Sequence, residues 1–291
     1  MGDNFFIRTM SPADVDRAVE WAAAEGWNPG ISDASCFATV DPGGFMGGWL
    51  GDRMIASISV INYSPSFAFL GFYIVEAPYR GQGYGYRLWR HAVLHAGERL
   101  VGLDGVLAEQ DNYRRSGFEL AYRNVRYGGS LPANLDIGGA ACHSEIEIVP
   151  LDRSTQEIVA FDRQVFPASR DGFLQSWISA PGHVSRAAYR DKKLIGYGVI
   201  RPCRNGHKIG PLFAEDRQVA EALLSDLLAG SGIEDGSGAV FLDVPEPNQI
   251  AVELAQDLGL APVFETARMY TGRAPAIAIG KIFGVTSFEL G

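Results

Sequence analysis

The sequence predicts an α/β protein in which two similar units follow each other, each with a mixed sheet flanked by helices. Three observations support this prediction. The chain resembles itself at a spacing of about 140 residues. Apolar strand patterns are interspersed with helical patterns in both halves. A segment rich in Gly, Pro, Asn and Ala separates the halves and is typical of a linker.

The repeat is carried by glycines and charged residues at matched positions. The matched pairs are Gly71 and Gly210, Asp104 and Asp243, Gly117 and Gly259, and Arg126 and Arg268. In each copy, several strands follow one another and are expected to form hairpins. Across residues 75–106 a strand, a helix and a second strand follow one another, and such a crossover joins parallel strands.

We therefore place the first unit at residues 1–130, the linker at 131–143 and the second unit at 144–291. The residues after Thr271 fall outside the repeat. Their alternation near 282–288 predicts one more strand, which either closes the second sheet or bridges the two units.

The composition restricts the class of protein. The chain has 291 residues, of which 47% are hydrophobic and 20% charged, as in ordinary globular proteins. A net charge of −9 argues against nucleic acid as a partner, because no basic surface is available for its phosphates. No apolar run is long enough to span a membrane. The three cysteines are far apart, so we expect a cytoplasmic protein with neither disulfide framework nor metal site.

The glycines at 81, 83 and 85 lie between a predicted buried strand, 67–75, and a helix predicted from about Gly85 to Ala96. Glycines allow the chain to bend sharply and leave backbone N–H groups bare. Because these groups meet the positive end of the helix dipole, the loop is predicted to bind an anion the size of phosphate.

The two copies differ at this loop. The second copy has no glycine between Gly210 and Gly230, so its phosphate-binding site is predicted to be lost. The position four residues before the matched glycine is Tyr113 in the first copy and Ala255 in the second. Because the loop and the phenol occur together in one copy and are both missing from the other, we expect them to serve one function.

These features resemble the GNAT superfamily of acetyl-coenzyme A-dependent N-acetyltransferases, arranged as a tandem pair. That family has a glycine-rich motif after a strand, and a tyrosine followed four residues later by Gly-Phe. The first motif is matched by Arg80, Gly81, Gln82, Gly83, Tyr84 and Gly85, and the second by Tyr113, Gly117 and Phe118. The resemblance covers residues 5–128 well and residues 144–272 as a degenerate copy.

The resemblance implies a role for each part. The backbone amides of residues 80–85 would hold the pyrophosphate of the cosubstrate, acetyl-CoA. Ile74 and Val75 would hydrogen-bond its pantetheine arm and polarise the thioester carbonyl. Tyr113 would be the general acid that protonates the departing thiolate. In one departure from the family pattern, the helix before Tyr113 is about a turn shorter than its counterpart in the second copy.

The implied reaction is transfer of an acetyl group to a primary amine. Near neutral pH such an amine is mostly protonated, since its pKa is close to that of lysine, ~10, and a base must remove the proton. Glu109 is the first candidate because it lies between the strand and Tyr113. Asp104 and Glu76 are the alternatives.

Residues 25–37 lie where the family closes over its acceptor. Trp27 is expected there as either a hydrophobic plug or an aromatic wall. In the second unit, Arg170 and Arg201 are expected near strand ends, either binding an acidic acceptor or acting as ordinary surface arginines. We predict a small-molecule amine as acceptor, and the sequence leaves a homodimer open.

Other functions are compatible with the same residues. One is a non-catalytic CoA-binding sensor or interaction module, which would bind the coenzyme without turning over an amine. A second is a protein lysine acetyltransferase. A longer-chain acyl donor is a further alternative.

Overall fold

The computed structural model describes residues 4–132, 137, 145–233 and 238–291. Most of the predicted linker, 131–143, lies outside the described residues. None of the described helices is long and apolar enough to cross a lipid bilayer.

Helices and strands alternate as the sequence patterns predict. The α-helices of the described residues are α1 (Pro12–Ala24), α2 (Asp33–Phe37), α3 (Tyr84–Ala96), α4 (Gln110–Arg115), α5 (Gln156–Val165), α6 (Asp171–Ile178), α7 (Arg217–Gly230) and α8 (Gln249–Asp257). The strands of the first unit are β1 (Phe5–Thr9), β2 (Phe45–Leu50), β3 (Arg53–Asn62), β4 (Phe67–Val75), β5 (Leu100–Val106) and β6 (Glu119–Ser130). Those of the second unit are β7 (Glu147–Pro150), β8 (Val184–Arg190), β9 (Lys193–Pro202), β10 (His207–Ala214), β11 (Ala239–Pro245), β12 (Ala261–Tyr270) and β13 (Ile282–Gly284).

All of these strands belong to one mixed sheet, which confirms the predicted fold class. Its order is β1–β2–β3–β4–β5–β12–β6–β11–β10–β9–β8–β7, and β13 pairs with β10 off this path. Only the β4–β5 and β10–β11 pairs are parallel among the described strands.

Helices cover both faces of the sheet. One face packs against α3, α7 and α8, and we call it the α3 face. The other packs against α1, α2, α5 and α6, and we call it the α1 face. Neighbouring residues of a strand point to opposite faces. In β9, for example, Leu194 packs among residues of α5 and α6, whereas Ile195 packs among residues of α7 and α8.

The last strand of each repeat is exchanged. β12 of the second unit pairs with β5 of the first, and β6 of the first unit pairs with β11 of the second. β6 and β12 pair with each other at the centre of the sheet. The boundary proposed at residue 130 therefore divides the sequence into repeats, whereas in space the sheet is continuous.

Two buried ion pairs join the exchanged strands. Arg126 on β6 binds Asp243 on β11 through two N–O contacts of 2.6 and 2.8 Å. Arg268 on β12 binds Asp104 on β5 in the same bidentate way, at 2.8 and 2.6 Å. Burial alone would raise the pKa of Asp243, but the adjoining Arg126 guanidinium holds it below its ordinary value. Each pair thus connects one repeat to the other.

Residues 279–291, which we call the tail segment, cross the α1 face. Ile282–Gly284 forms β13, which pairs antiparallel with β10. This strand is shorter than the predicted 282–288, because Val285 N then donates to Asp243 O and the Thr286 hydroxyl accepts from Arg170. The segment ends in the first unit, where the Tyr63 hydroxyl donates to Leu290 O. It therefore both adds a strand to the second unit's part of the sheet and bridges the two units.

Replacing Arg126 by methionine should lower the free energy of unfolding by ~3–5 kcal/mol, because the buried Asp243 carboxylate would lose its bidentate partner. Denaturant unfolding at neutral pH measures this loss. The double variant Arg126→Met, Asp243→Leu should lose less, since the carboxylate and its bidentate partner are removed together. Arg114→Ala, which breaks the exposed pair with Asp111, is the control and should cost under ~1 kcal/mol. Equal losses in Arg126→Met and Arg114→Ala would contradict the assigned role.

Candidate active site

The candidate site begins where β4 and β5 separate. Residues 67–70 of β4 pair with residues 100–103 of β5, and the pairing stops there. Both strands continue, β4 to Val75 and β5 to Val106. A bulge in β4, with Phe72 at a φ of 48°, accompanies this divergence. A gap therefore opens within the sheet, and the backbone of residues 71–75 faces it.

Glycine is required at the three loop positions for two different reasons, backbone conformation at two of them and lack of space at the third. Gly81 and Gly83 have φ angles of 74° and 85°, which only glycine adopts without strain. Gly85 has no room for a side chain, because a Cβ would lie 2.8 Å from both the Tyr73 hydroxyl and a Val75 methyl carbon. Gly83 is the N-cap of α3, and no side chain caps this helix end. The first amides of a helix have no partner within it, so this end suits an anion.

The other residues of the motif support the loop. Arg80 Nε donates to Val75 O at 2.8 Å, and its Nη2 pairs with Glu25. The amide of Arg80 donates to Ala77 O at 3.3 Å, so it is already engaged. Gln82 Nε2 donates to Pro78 O at 2.8 Å. The ring of Tyr84 packs 5.0 Å from that of Phe5.

Tyr113 lies on α4, on the α3 face of the sheet beside the gap. Its ring packs against Trp89 and Phe118, at centroid distances of 5.8 and 6.4 Å. Gly105 leaves space for this ring, since a Cβ there would lie 2.3 Å from Tyr113 Cε2. Burial, followed by the nearby Glu109 and Tyr73, raises the pKa of Tyr113 well above its ordinary value. The phenol therefore stays protonated at neutral pH.

The shorter helix predicted before Tyr113 is present. α4 has 6 residues, whereas its counterpart α8 has 9. A 3₁₀ helix, Leu107–Glu109, precedes α4 and carries Glu109 toward the gap. The Glu109 carboxylate accepts a hydrogen bond from Asn112.

A cavity of about 340 Å³ passes through the gap. Its lining includes Tyr73, Val75 and Gly105, which face α3, and Gly71 and Asp104, which face α1. Of the residues predicted for the site, it brings together Trp27, Ile74, Val75, Arg80, Gly81, Gly85, Glu109 and Tyr113. Gln82, Gly83 and Tyr84 do not line it. A second cavity of about 750 Å³ lies between α3 and α4 and also contacts Tyr73, Glu109 and Tyr113.

Arg170 and Arg201 are not part of this site, which corrects the expectation that they bind an acidic acceptor. Arg170 is fully buried, with Nε 2.9 Å and Nη2 2.8 Å from the carboxylate of Asp162. Arg201 is fully buried with Nε 2.9 Å from Asp33. Both guanidinium groups already have carboxylate partners and no contact with solvent, so neither is available to a ligand.

The equivalent site of the second unit is filled by the chain itself. The N-cap of α7 is Asp216, whose carboxylate accepts from Val219 N at 3.0 Å and so provides a partner for one of the free amides at this helix end. Pairing of β10 with β11 stops at Ile209 and Leu242, as it does in the first unit. Here, however, β13 occupies the free edge of β10, pairing with Leu212 and Phe213.

Sequence reasoning missed two residues of the first site, Tyr73 and Gly105. The comparison between copies held a signal for Gly105. Gly105 aligns with Val244, just as Tyr113 aligns with Ala255. The first copy thus pairs a glycine with a large ring, and the second pairs a valine with an alanine. Close packing favours such a compensating exchange of side-chain volumes. Tyr73 has no comparable signal, because its position reads as an ordinary strand aromatic.

Comparisons with known proteins agree with this geometry. Residues 13–118 match the model of the acetyltransferase (GNAT) family, and residues 158–284 match that of an acetyltransferase (GNAT) domain. The chain is 32% identical over 286 residues to the holothin acyltransferase of Pseudoalteromonas sp. (strain SANK 73390), covering 97% of this chain and 94% of that protein.

Solved structures share the whole architecture. A putative acetyltransferase from Pyrococcus horikoshii superposes with a TM-score of 0.81 at 21% identity, covering 100% of this chain and 97% of that one. A tandem GNAT protein from the clavulanic acid biosynthesis pathway gives a TM-score of 0.61 at 13% identity, with 93% of this chain and 100% of that one covered. The chain therefore belongs to the GNAT acetyltransferase family and is an acyltransferase with two GNAT domains in tandem.

Proposed function

We propose that the first unit transfers an acetyl group from acetyl-CoA to a primary amine of a small molecule, and that the second unit binds no coenzyme. One observation carries this proposal. A single cavity through the sheet is lined by the free edge of β4, the glycine loop and Tyr113 on the α3 face, and by Trp27 at its other mouth.

The coenzyme would be held by backbone groups. Its pyrophosphate accepts hydrogen bonds from the amides of residues 81–85, at the uncapped end of α3. Its pantetheine arm runs along residues 71–75, which lack a β partner on that side among the described residues. This places the thioester beside the ends of β4 and β5, where Ile74 and Val75 can polarise its carbonyl.

The reaction then needs one acid and one base. The neutral amine nitrogen attacks the thioester carbon, the C–S bond breaks, and Tyr113 gives its proton to the departing thiolate. The proton that the attacking nitrogen loses as the amide forms restores the Tyr113 phenol, so the products are the amide, the thiol and the one proton taken by the base. Glu109 is the proposed base that accepts the proton of the ammonium, directly or through water. Both side chains line the same cavity.

The acceptor would enter from the mouth beside Trp27. Glu25 lies there and pairs with Arg80, while Arg170 and Arg201 are enclosed in buried ion pairs. Because Arg80, Arg170 and Arg201 are all engaged with carboxylates of the chain, a neutral or cationic acceptor is favoured over an acidic one. The name of the 32% identical relative, holothin acyltransferase, supports a small-molecule acceptor and makes holothin a suitable probe. A panel of acyl-CoA donors would show whether acetyl is preferred over longer chains.

Tyr113→Phe separates an enzyme from a coenzyme-binding sensor. In an enzyme, loss of the general acid should lower kcat ~10²–10⁴-fold and leave the Kd for acetyl-CoA unchanged. Thiol release in the presence of holothin gives the rate, and calorimetry gives the Kd. Tyr189→Phe, at a remote position in the second unit, is the matched control. An unchanged rate in Tyr113→Phe would remove Tyr113 from the mechanism.

Titration of the intact chain with acetyl-CoA should give one binding site per chain, because the second site is filled by Asp216 and β13. Gly83→Ala should raise the Kd for acetyl-CoA ~10-fold or more. A Cβ is strained at the φ of 85° that Gly83 adopts, and it would crowd the bound phosphate. Gly232→Ala, at a φ of 72° in the second unit, is the control for backbone strain alone. A stoichiometry of two would contradict the assignment of a single site.

Gly105→Ala should displace the Tyr113 ring and lower kcat ~10²-fold, because misplacement of a reacting group by about 1 Å has effects of this size. The Kd for acetyl-CoA should change much less than kcat. Gly129→Ala is a suitable control, since a Cβ there meets its nearest atom at 3.7 Å, an ordinary contact. Full activity in Gly105→Ala would show that the ring position is unimportant.

A further inference from the structure

The second unit holds the loop that carries Trp27. We call residues 25–33 the Trp27 loop. The Asn28 side chain donates to Cys203 Sγ and to Asn205 O, both at 3.1 Å, and accepts from Asn205 N at 2.9 Å. Every one of these partners lies in the turn between β9 and β10.

Backbone groups add to this attachment. Ile31 N donates to Pro202 O at 3.0 Å, and Arg204 N donates to Pro29 O at 3.2 Å. Gly30 forms an isolated antiparallel bridge with Cys203. The loop thus runs along the β9–β10 hairpin as an additional, short strand would.

Buried charges fix both ends of the loop. At one end, Asp33 is completely buried against Arg201, and its carboxylate also accepts from Gly30 N at 2.8 Å. At the other end, Trp27 O accepts from Arg126 at 2.6 Å and from Lys208 Nζ at 3.4 Å. Arg201 and Lys208 belong to β9 and β10. Loss of these partners would cost free energy, because the Asp33 carboxylate is a buried charge and the half-buried Trp27 carbonyl would lose two hydrogen bonds.

The position of the loop bears on the acceptor. In acyl transfer the amine adds to the carbonyl carbon before the thiolate leaves, so both groups must fit around that carbon at once. Tyr113, which serves the thiolate, takes up the α3 side of the gap, and the proposed entrance for the amine is the side that Trp27 lines. Glu25 and Trp27 line the cavity at that mouth. The loop that shapes the acceptor's entrance is therefore held largely by side-chain and backbone groups of the other repeat, and Arg126 of its own repeat adds one contact.

The geometry points to the β9–β10 hairpin of the second unit as the element that positions the acceptor wall of the first, with Asn28 as the positioning residue that couples them. This inference rests on the proposed function. It gives the unit without a coenzyme site a role in acceptor binding, exerted through the Trp27 loop and without contact to the coenzyme.

Asn28→Gly tests the coupling. Asn28 has a φ of 52°, which glycine adopts freely, so the substitution removes the three side-chain hydrogen bonds without straining the backbone. The KM for holothin should rise ~10-fold, as expected for the loss of about 1.4 kcal/mol of positioning. The kcat at saturating holothin and the Kd for acetyl-CoA should stay within twofold. Hydrogen exchange of the Ile31 amide should become faster.

Asp191→Gly is the matched control. Asp191 has a φ of 50° in the exposed turn between β8 and β9, so it makes the same backbone change away from the loop. It should leave KM, kcat and the exchange of Ile31 unchanged. If the wild-type protein transfers acetyl groups and Asn28→Gly has an unchanged KM, the inference is wrong and the proposed function stands. If the wild-type protein binds acetyl-CoA but acetylates no amine, the proposed function fails and this inference with it.

Discussion

Each of the two Asp–Arg pairs at the centre of the sheet joins one repeat to the other. Asp104 is bound by Arg268 and Asp243 by Arg126, so each aspartate is neutralised by the other copy. Both carboxylates are buried, and a buried charge is tolerated only with its partner in place. These particular pairs form only when β6 and β12 are exchanged. That exchange in turn brings the β9–β10 hairpin beside the Trp27 loop and places the tail segment across both units.

The two copies show what the fold needs and what the chemistry needs. Both keep the diverging parallel strands, the following helix and the buried ion pair. Only the first keeps an uncapped helix end, an open strand edge and a phenol beside a glycine. In the second, Asp216 caps the helix that follows β10, and β13 pairs with the edge of β10. Backbone groups at the equivalent positions of this unit therefore have partners from within the chain.

The sequence predicted the fold class, the strand–loop–helix around the glycines and the shorter helix before Tyr113, because each depends on neighbouring residues. It could not predict the exchange of strands. Asp104 and Arg126 would give the same repeat pattern whether they paired within a unit or between units. Arg170 and Arg201 were misassigned for a related reason: Arg201 pairs with Asp33, which is 168 residues away in the sequence, and Arg170 is enclosed by the tail segment, where it binds Thr286, 116 residues away. Local patterns carry no information on such a partner.

The exchange also makes the two halves a dimer within one chain. Two separate copies could build the same sheet, but they would dissociate on dilution. Here the connection fixes the effective concentration of one half near the other, so the interface persists at any protein concentration. The shared sheet therefore assembles whether or not the second half binds a ligand of its own. Such a partner is free to diverge, provided that it continues to supply a strand, an arginine and a hairpin.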